Sequence, residues 1–148
     1  MLTCTFENGN TSSLRHVVVD ALIIQDNKIL LIKRAPHLTN GGKYAFPGGF
    51  LDRDETVEQA VVREVKEETG YDVKVEKLFT ILDNPDRPKE DRQNVAFIYV
   101  VKPQDQTGKA DSEVSEVQWF DLERLPSEDE FAFDHYQTIQ EFKKNYTS

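Results

Sequence analysis

Apolar and β-branched residues dominate two neighbouring segments near the start of the chain, residues 16–24 and 28–34. The three polar residues between them, 25–27, give the pattern of two antiparallel strands joined by a short turn. The sequence therefore predicts a β-hairpin at this point. Residues 36–43 contain an Asn-Gly-Gly run and predict a loop, and residues 44–46 form an apolar run too short for more than a brief strand before a proline.

Two segments carry apolar residues at helical spacing. Residues 56–69 contain neither glycine nor proline and are followed by Gly70, the residue that most often ends a helix. Residues 131–146 place Tyr136, Ile139 and Phe142 on one helical face. The sequence therefore predicts one helix in the middle of the chain and a second helix at its end.

The remaining segments complete the predicted architecture. Strands are predicted over residues 71–82, 94–101 and 114–120, and a turn over residues 122–126. Strands before, between and after two helices favour an α/β fold, a sandwich in which a mixed sheet carries a helix on each face. The first 15 residues are too polar to be placed, and we expect residues 1–148 to form a single domain.

Composition narrows the function classes. The net charge of -9 repels the phosphate backbone of nucleic acid, so we expect no long nucleic-acid partner. The lone Cys4 cannot form an internal disulfide, and no apolar run approaches the roughly 18 residues of a membrane span. We therefore expect a cytoplasmic protein without a membrane partner.

The middle helix separates apolar from acidic residues. In helical projection four valines spread along one arc and three glutamates along the adjoining arc: Val57, Val61, Val62 and Val65, and Glu64, Glu67 and Glu68. Like charges at this spacing destabilise a helix and call for a counter-charge, and Arg63 could turn back toward them. Carboxylate oxygens with few nitrogen or sulfur neighbours suit Mg²⁺ or Mn²⁺.

A bare E-x-x-E-E spacing is typical of a solvated helix face. Its context is more specific: Gly49, Glu55 and the run 63–70 stand in one fixed pattern across a loop, a helix and a loop. This pattern resembles the box of the Nudix hydrolase family over residues 49–71. The one departure is Tyr71, where that family usually has an aliphatic residue. The resemblance extends over roughly residues 16–142.

The resemblance implies a Nudix-type α/β/α sandwich and a set of residue roles. Glu64, Glu67 and Glu68 would bind Mg²⁺, or Mn²⁺ in its place, together with the carbonyl of Gly48. Arg63 would orient a glutamate. The expected reaction is attack of water on a pyrophosphate phosphorus. The base that accepts the proton stays open among Glu64, then Glu116, then Glu113.

The substrate class rests on passages outside the box. Residues 83–88 with Asp91 and Arg92, and residues 132–135, resemble the ADP-ribose pyrophosphatase subgroup. Arg34, Arg87 and Arg92 are candidate phosphate or ribose ligands because guanidinium binds phosphate with two hydrogen bonds. Phe46 is a candidate for stacking on a base. The expected reaction converts ADP-ribose to AMP and ribose 5-phosphate.

Three other functions stay open. A Nudix hydrolase of nucleoside triphosphates or other nucleotides would keep the same box and differ in its pocket. A non-catalytic sensor would bind ADP-ribose without cleaving it, although the intact carboxylates and the absence of an attached basic DNA-binding domain argue against this. A plain acidic interaction module would show no specific metal dependence. The resemblance also implies a small nucleotide as partner and a homodimer.

Overall fold

The computed structural model of the protein describes residues 1–87 and 92–146 and contains strands, two α-helices and one 3₁₀ turn. The turn spans Glu128–Glu130. The strands and helices in chain order are β1 (Leu2–Thr5), β2 (Thr11–Leu14), β3 (Val17–Gln25), β4 (Lys28–Arg34), β5 (Tyr44–Ala45), β6 (Gly48–Phe50), α1 (Val57–Thr69), β7 (Tyr71–Leu82), β8 (Val95–Gln106), β9 (Val114–Asp121) and α2 (His135–Tyr146).

Strands β3 to β9 form one mixed sheet. Its main path runs β5-β4-β3-β8-β7, with β6 beside β3 and β9 beside β4. Strands β3 and β8 are parallel, from Val17 opposite Val95 to Ile23 opposite Val101, and the other pairs are antiparallel. Because β6 pairs with the first half of β3, the loop that leads into α1 begins beside this central strand. This topology confirms the predicted mixed sheet.

The two faces of the sheet bury different residues because successive side chains of a strand point to opposite sides. Helix α1 packs on one face; this core cluster comprises Ala60, Val61 and Val65 of the helix with Val19, Ala21, Ile23, Leu30, Val73, Tyr99 and Val101 of the strands. Helix α2 packs on the other; there Ile139 and Phe142 join Leu22, Ile29, Leu31, Phe46, Ala96, Ile98, Val100, Leu122 and Phe131. The predicted sandwich with a helix on each face is confirmed.

Local signals explain the best-predicted elements. The hairpin of β3 and β4 turns at Asp26 and Asn27, whose φ angles of 50° and 60° match the tight turn that suits twisted strands. Helix α1 starts at the N-cap Thr56, whose side chain accepts a hydrogen bond from the Gln59 backbone amide, while the Gln59 side chain accepts one from the Thr56 backbone amide. It ends at Gly70, which adopts the left-handed conformation.

The terminal helix begins later than the sequence predicts. Phe131 is extended and pairs with Tyr44, and Phe133 has a φ of 52°, so the helix can start only at His135. The apolar residues that suggested an earlier start are buried by this irregular segment instead. The assignment of Val62 to the buried face of α1 was also wrong, because Val62 is exposed on the outer side of the helix.

The first 15 residues, which the sequence left unplaced, contain a separate two-stranded sheet of β1 and β2. Leu2, Phe6 and Leu14 are exposed on this hairpin, which explains why no apolar pattern pointed to it. Arg15 joins it to the domain by donating hydrogen bonds to the carbonyls of Asp83 and Gln93. Neither described helix has the length and apolar character needed to cross a bilayer.

Replacing Phe142 by alanine tests the core under α2. Phe142 is fully buried, so Phe142→Ala should lower the free energy of unfolding by about 3 to 5 kcal/mol, as large-to-small core substitutions do. The matched control Leu14→Ala removes an exposed side chain and should change it by less than about 0.5 kcal/mol. Urea titration measures both. Equal stability of the two variants would contradict the assigned core.

Candidate active site

The Arg63 guanidinium lies at the centre of an acidic cluster. It binds Glu55 with two hydrogen bonds of 2.6 and 3.0 Å, and it donates to Glu64 at 2.7 Å and to Glu67 at 3.2 Å. A further hydrogen bond of 3.0 Å reaches the Phe50 carbonyl. Arg63 therefore supplies the counter-charge that the like-charged face of α1 requires, and it connects the helix to the preceding loop.

Two glycines let the loop before α1 approach the glutamates closely. The amide of Gly48 donates a hydrogen bond of 2.8 Å to Glu68, whose side chain is buried. A Cβ atom placed on Gly49 would lie 2.5 Å from an Oε atom of Glu64, and one placed on Gly48 would lie 2.1 Å from the Val19 carbonyl. Any larger residue at either position would push the loop away from the acids.

Burial disfavours charge on the two inner glutamates. It raises the pKa of Glu68 well above its ordinary value, and the Gly48 amide only partly opposes this. Burial also raises the pKa of Glu64, although the neighbouring Arg63 lowers it in part. Hydrogen bonds from Arg63 lower the pKa of Glu55. A nearby cation would therefore stabilise the ionised form of both inner carboxylates.

The residues present suit a hard divalent cation in their chemistry. Glu64, Glu67 and Glu68 contribute carboxylate oxygens, and the neighbouring donors lack sulfur. Within residues 1–87 and 92–146, no three acidic, histidine or cysteine side chains already surround one point as a ready cation site. Glu64 and Glu67 each accept a hydrogen bond from Arg63, and a bound cation would compete with the guanidinium for these carboxylates.

The acids open onto a cleft with a volume of about 410 Å³. It lies where β3, β6 and α1 meet, and the segments before β9 and α2 complete its walls. Its lining comprises Val18, Asp20, Arg34, Leu38, Gly48, Gly49, Phe50, Asp52, Glu64, Glu67, Glu68, Arg92, Asn94, Asp111, Glu113, Phe133 and His135. A larger groove of about 680 Å³ runs along the outer side of α1 but contains none of the three glutamates. The cleft is therefore the candidate site.

Two of the predicted phosphate ligands, Arg34 and Arg92, line this cleft. The Arg34 guanidinium lies 5.2 Å from the centre of the Phe133 ring and donates to the Thr39 carbonyl at 2.8 Å. The Arg92 guanidinium lies 5.6 Å from the centre of the Phe50 ring. Each aromatic ring supports a cation at the cleft, so positive charge faces the glutamates.

The floor of the cleft contains a buried polar pair that the sequence analysis missed. The Asp20 carboxylate lies 4.0 Å from the Nε2 atom of His135. Burial raises the pKa of Asp20 to about 7 and lowers the pKa of His135 to about 3. Asp20 sits within an apolar strand and carried no motif, and His135 was noted only as part of the 132–135 passage, with no role assigned to it.

Four predicted site residues do not line the cleft: Arg63, which lies at the outer groove of α1, and Arg87, Phe46 and Glu116. Arg87 is buried in a two-point ion pair with Asp134, at 2.7 and 2.8 Å. Phe46 is in the core, where its ring stacks on His135 with ring centres 4.2 Å apart. Glu116 lies on β9 opposite Lys33, 4.0 Å from its ammonium group, with about half of its side chain exposed. Pro88 and Asp91 of the predicted substrate loop lie outside the described residues.

Two other acids, by contrast, do line the cleft. Glu113, which the sequence analysis ranked last among the candidate bases, precedes β9, and its carbonyl accepts a hydrogen bond from the Ala35 amide. Asp111 was not singled out, and its amide donates to the Glu67 carbonyl at 3.0 Å. Nothing in a short polar loop distinguishes such acids until the fold brings the loop against α1.

Removing the charge of Arg63 tests its role as the hub of the acidic cluster. Arg63→Gln should lower the free energy of unfolding by about 1 to 3 kcal/mol, because buried carboxylates lose their hydrogen-bond donors. The control Arg53→Gln removes the same charge from a side chain that is 94% exposed and should have little effect. Urea titration of the two variants measures this, and equal loss in both would show that net charge alone is responsible.

Comparisons with known proteins agree with this geometry. The NUDIX domain model matches residues 14–142. The ADP-ribose pyrophosphatase of Methanocaldococcus jannaschii is 41% identical over 128 residues, which cover 86% of this chain and 73% of that protein. A crystal structure of an ADP-ribose pyrophosphatase from Streptococcus suis superposes with a TM-score of 0.65 at 30% identity, covering 76% of this chain and 78% of the other.

The fold extends to more distant proteins. A crystal structure of a NUDIX hydrolase from Nitrosomonas europaea superposes with a TM-score of 0.79, covering 95% of this chain and 77% of the other, at 24% identity. This match supports the architecture alone. The family match covers most of the chain, and the acidic cluster on α1 occupies the segment that carried the resemblance. The chain belongs to the Nudix family of hydrolases.

Proposed function

We propose that the protein hydrolyses the pyrophosphate bond of ADP-ribose, giving AMP and ribose 5-phosphate, with Mg²⁺ as cofactor. The observation that carries this proposal is the cleft in which three glutamates of α1 face two arginines, Arg34 and Arg92. A pyrophosphate needs both signs of charge: guanidinium groups bind its oxygens directly, and carboxylates bind it through a divalent cation. An acidic interaction module would have no need for the buried arrangement of Glu64 and Glu68 around two glycines.

The cation would be held by Glu64, Glu67 and Glu68, with the Gly48 carbonyl as a further oxygen donor. When bound, Mg²⁺ neutralises phosphate charge and lowers the pKa of water. Arg63 orients these carboxylates. Its hydrogen bonds to Glu55 and to the Phe50 carbonyl fix the guanidinium in the position from which it donates to Glu64 and Glu67. It is therefore a positioning residue.

Arg34 and Arg92 bind the phosphate oxygens in this proposal. Burial lowers the pKa of Arg34, although the nearby Glu68 and Glu113 raise it in part, and guanidinium stays protonated under these conditions. The similarity to ADP-ribose pyrophosphatases from two organisms supports ADP-ribose over a nucleoside triphosphate. The Phe50 and Phe133 rings at the two arginines offer apolar surface to the rest of the nucleotide.

In this mechanism the base that accepts the proton from water is an acidic side chain that lines the cleft. Glu64 remains the first candidate. Glu113 takes second place ahead of Glu116, because Glu113 lines the cleft and Glu116 lies on the outer strand beside Lys33. A base must reach the attacking water directly or through one further water, which favours a side chain that lines the cleft.

The substrate is tested with a panel of ADP-ribose, NADH, sugar nucleotides and nucleoside triphosphates in the presence of Mg²⁺. We expect release of AMP from ADP-ribose by the wild-type protein and a loss of about 100-fold or more in kcat for Glu67→Gln, since a carboxylate ligand is removed. The matched control Glu58→Gln changes an exposed glutamate on the same helix and should keep full activity.

The alternatives predict different outcomes of this experiment. Cleavage of triphosphates without cleavage of ADP-ribose would replace the proposed substrate. Binding of ADP-ribose without cleavage of any compound would identify a sensor. Equal loss in Glu67→Gln and Glu58→Gln would indicate a general effect of removing acidic charge from α1.

The base is tested with three variants that differ in position alone. Glu64→Gln and Glu113→Gln should each lower kcat, and the base itself should account for a loss of about 100-fold or more. Glu116→Gln should stay close to wild type because its side chain lies outside the cleft. Single-turnover rates with saturating ADP-ribose measure the chemical step. A large loss in Glu116→Gln with no loss in Glu113→Gln would reverse this assignment.

A further inference from the structure

Asp20 and His135 form a buried polar pair that leaves the Asp20 carboxylate and the Nε2 atom of His135 without a hydrogen bond to each other. The exposed fractions of the two residues are 9% and 4%, and both line the cleft. Among the described residues, no hydrogen-bond donor reaches the Asp20 carboxylate, which lies 4.0 Å from the Nε2 atom of His135. That separation is too long for a hydrogen bond. Both side chains line the cleft, so a group bound there can complete their hydrogen bonds.

The protonation of His135 follows from its other ring nitrogen. The Phe46 amide donates a hydrogen bond of 3.0 Å to Nδ1, so Nδ1 carries a lone pair and the ring is neutral. A neutral ring whose Nδ1 accepts must carry its proton on Nε2. A flip of the imidazole ring would break this hydrogen bond, and the face of the ring stacks on the Phe46 ring. An N–H donor therefore faces a carboxylate acceptor across the gap.

This combination selects the kind of group that fits between them. A phosphate oxygen is repelled by Asp20, and a divalent cation finds no lone pair on Nε2. A hydroxyl group fits both sides, because its oxygen accepts from Nε2 and its hydrogen is donated to the carboxylate, each at about 2.8 Å.

The position of the pair points to a sugar hydroxyl. An Oδ atom of Asp20 would lie 2.5 Å from a Cβ atom on Gly48, the residue whose amide binds Glu68. The pair is thus adjacent to the acidic cluster. A sugar attached directly to the pyrophosphate has hydroxyls within a few bonds of the phosphate, whereas a base lies farther away.

We propose that Asp20 and His135 recognise a ribose hydroxyl of the substrate and thereby set its specificity for a sugar next to the pyrophosphate. This rests on the proposed function, in which the cleft binds ADP-ribose. The hydroxyl can come from the adenosine ribose or from the distal ribose. The chemistry is the same for both, so the ligands in the test separate them.

The test measures dissociation constants by calorimetry in EDTA, where no cleavage occurs. The ligands are ADP-ribose, an analogue lacking the hydroxyls of the adenosine ribose and an analogue lacking those of the distal ribose. Wild-type protein should prefer ADP-ribose to one analogue by about tenfold or more, the loss expected for a hydrogen bond to a charged group. The weaker analogue identifies the sugar.

Four variants test the pair itself. Asp20→Ala should abolish the preference, and Asp20→Asn should restore part of it because the amide keeps an acceptor oxygen. His135→Asn keeps an acceptor for the Phe46 amide but lacks the Nε2 donor, so it should lose the preference. His135→Gln keeps a donor near that position and should retain part of it. Asp105→Asn, at an exposed site that does not line the cleft, is the control for charge.

The binding measurements distinguish substrate recognition by the pair from a structural role. Wild-type preference in all four variants, or equal weakening toward all three ligands, overturns the proposal and leaves the pair with a structural role. Thermal unfolding of each variant identifies any that fail to fold, and the partial rescue by Asp20→Asn and His135→Gln distinguishes recognition from folding. If no ADP-ribose is cleaved with Mg²⁺ but the hydroxyl preference depends on the pair, the proposed function fails and this inference stands. Absence of binding and cleavage by the wild type overturns both.

Discussion

The site depends on one electrostatic constraint: acidic side chains must be held close together on the buried edge of a helix. Arg63 meets it with a single guanidinium that contacts Glu55, Glu64, Glu67 and the Phe50 carbonyl. Lysine could not do this, because its ammonium group lacks the planar arrangement of five N–H donors. The same contacts tie α1 to the loop before it, so the geometry of the acids and the path of that loop are fixed together.

Across the cleft from the glutamates, buried polar groups at the start of α2 connect that helix to the neighbouring strands. His135, at the start of α2, accepts from the Phe46 amide two residues before Gly48, and the neighbouring Asp134 binds Arg87, whose guanidinium also donates to the Asn94 carbonyl. Burial alone would raise the pKa of Asp134, but the ion pair with Arg87 lowers it below its ordinary value. Helix α2 therefore holds both the segment that leads to the glycine loop and the start of β8.

Periodicity and a fixed motif were enough to predict the sheet, both helices and the acids of α1, because these features depend on residues close together in sequence. The prediction was least successful where tertiary register decides. Glu116 and Glu113 differ by three positions, but the first lies on β9 beside Lys33 and outside the cleft, whereas the second precedes β9 and lines the cleft. Arg87 carried a plausible phosphate-binding charge, yet its partner Asp134 lies 47 residues away and could not be paired with it from sequence alone.

Asp20 is a single carboxylate within an apolar strand, and hydrophobic periodicity alone gives it no functional meaning. A single carboxylate within the apolar strand β3 lowers the stability of the fold unless it is paired. Moving a polar group out of water without a compensating hydrogen bond costs about 2 to 7 kcal/mol. A fold under selection for stability alone would replace it with an apolar residue, as buried ion pairs often can be replaced. Its position beside a neutral histidine in the lining of the cleft is explained if the group that completes its hydrogen bonds arrives with the substrate.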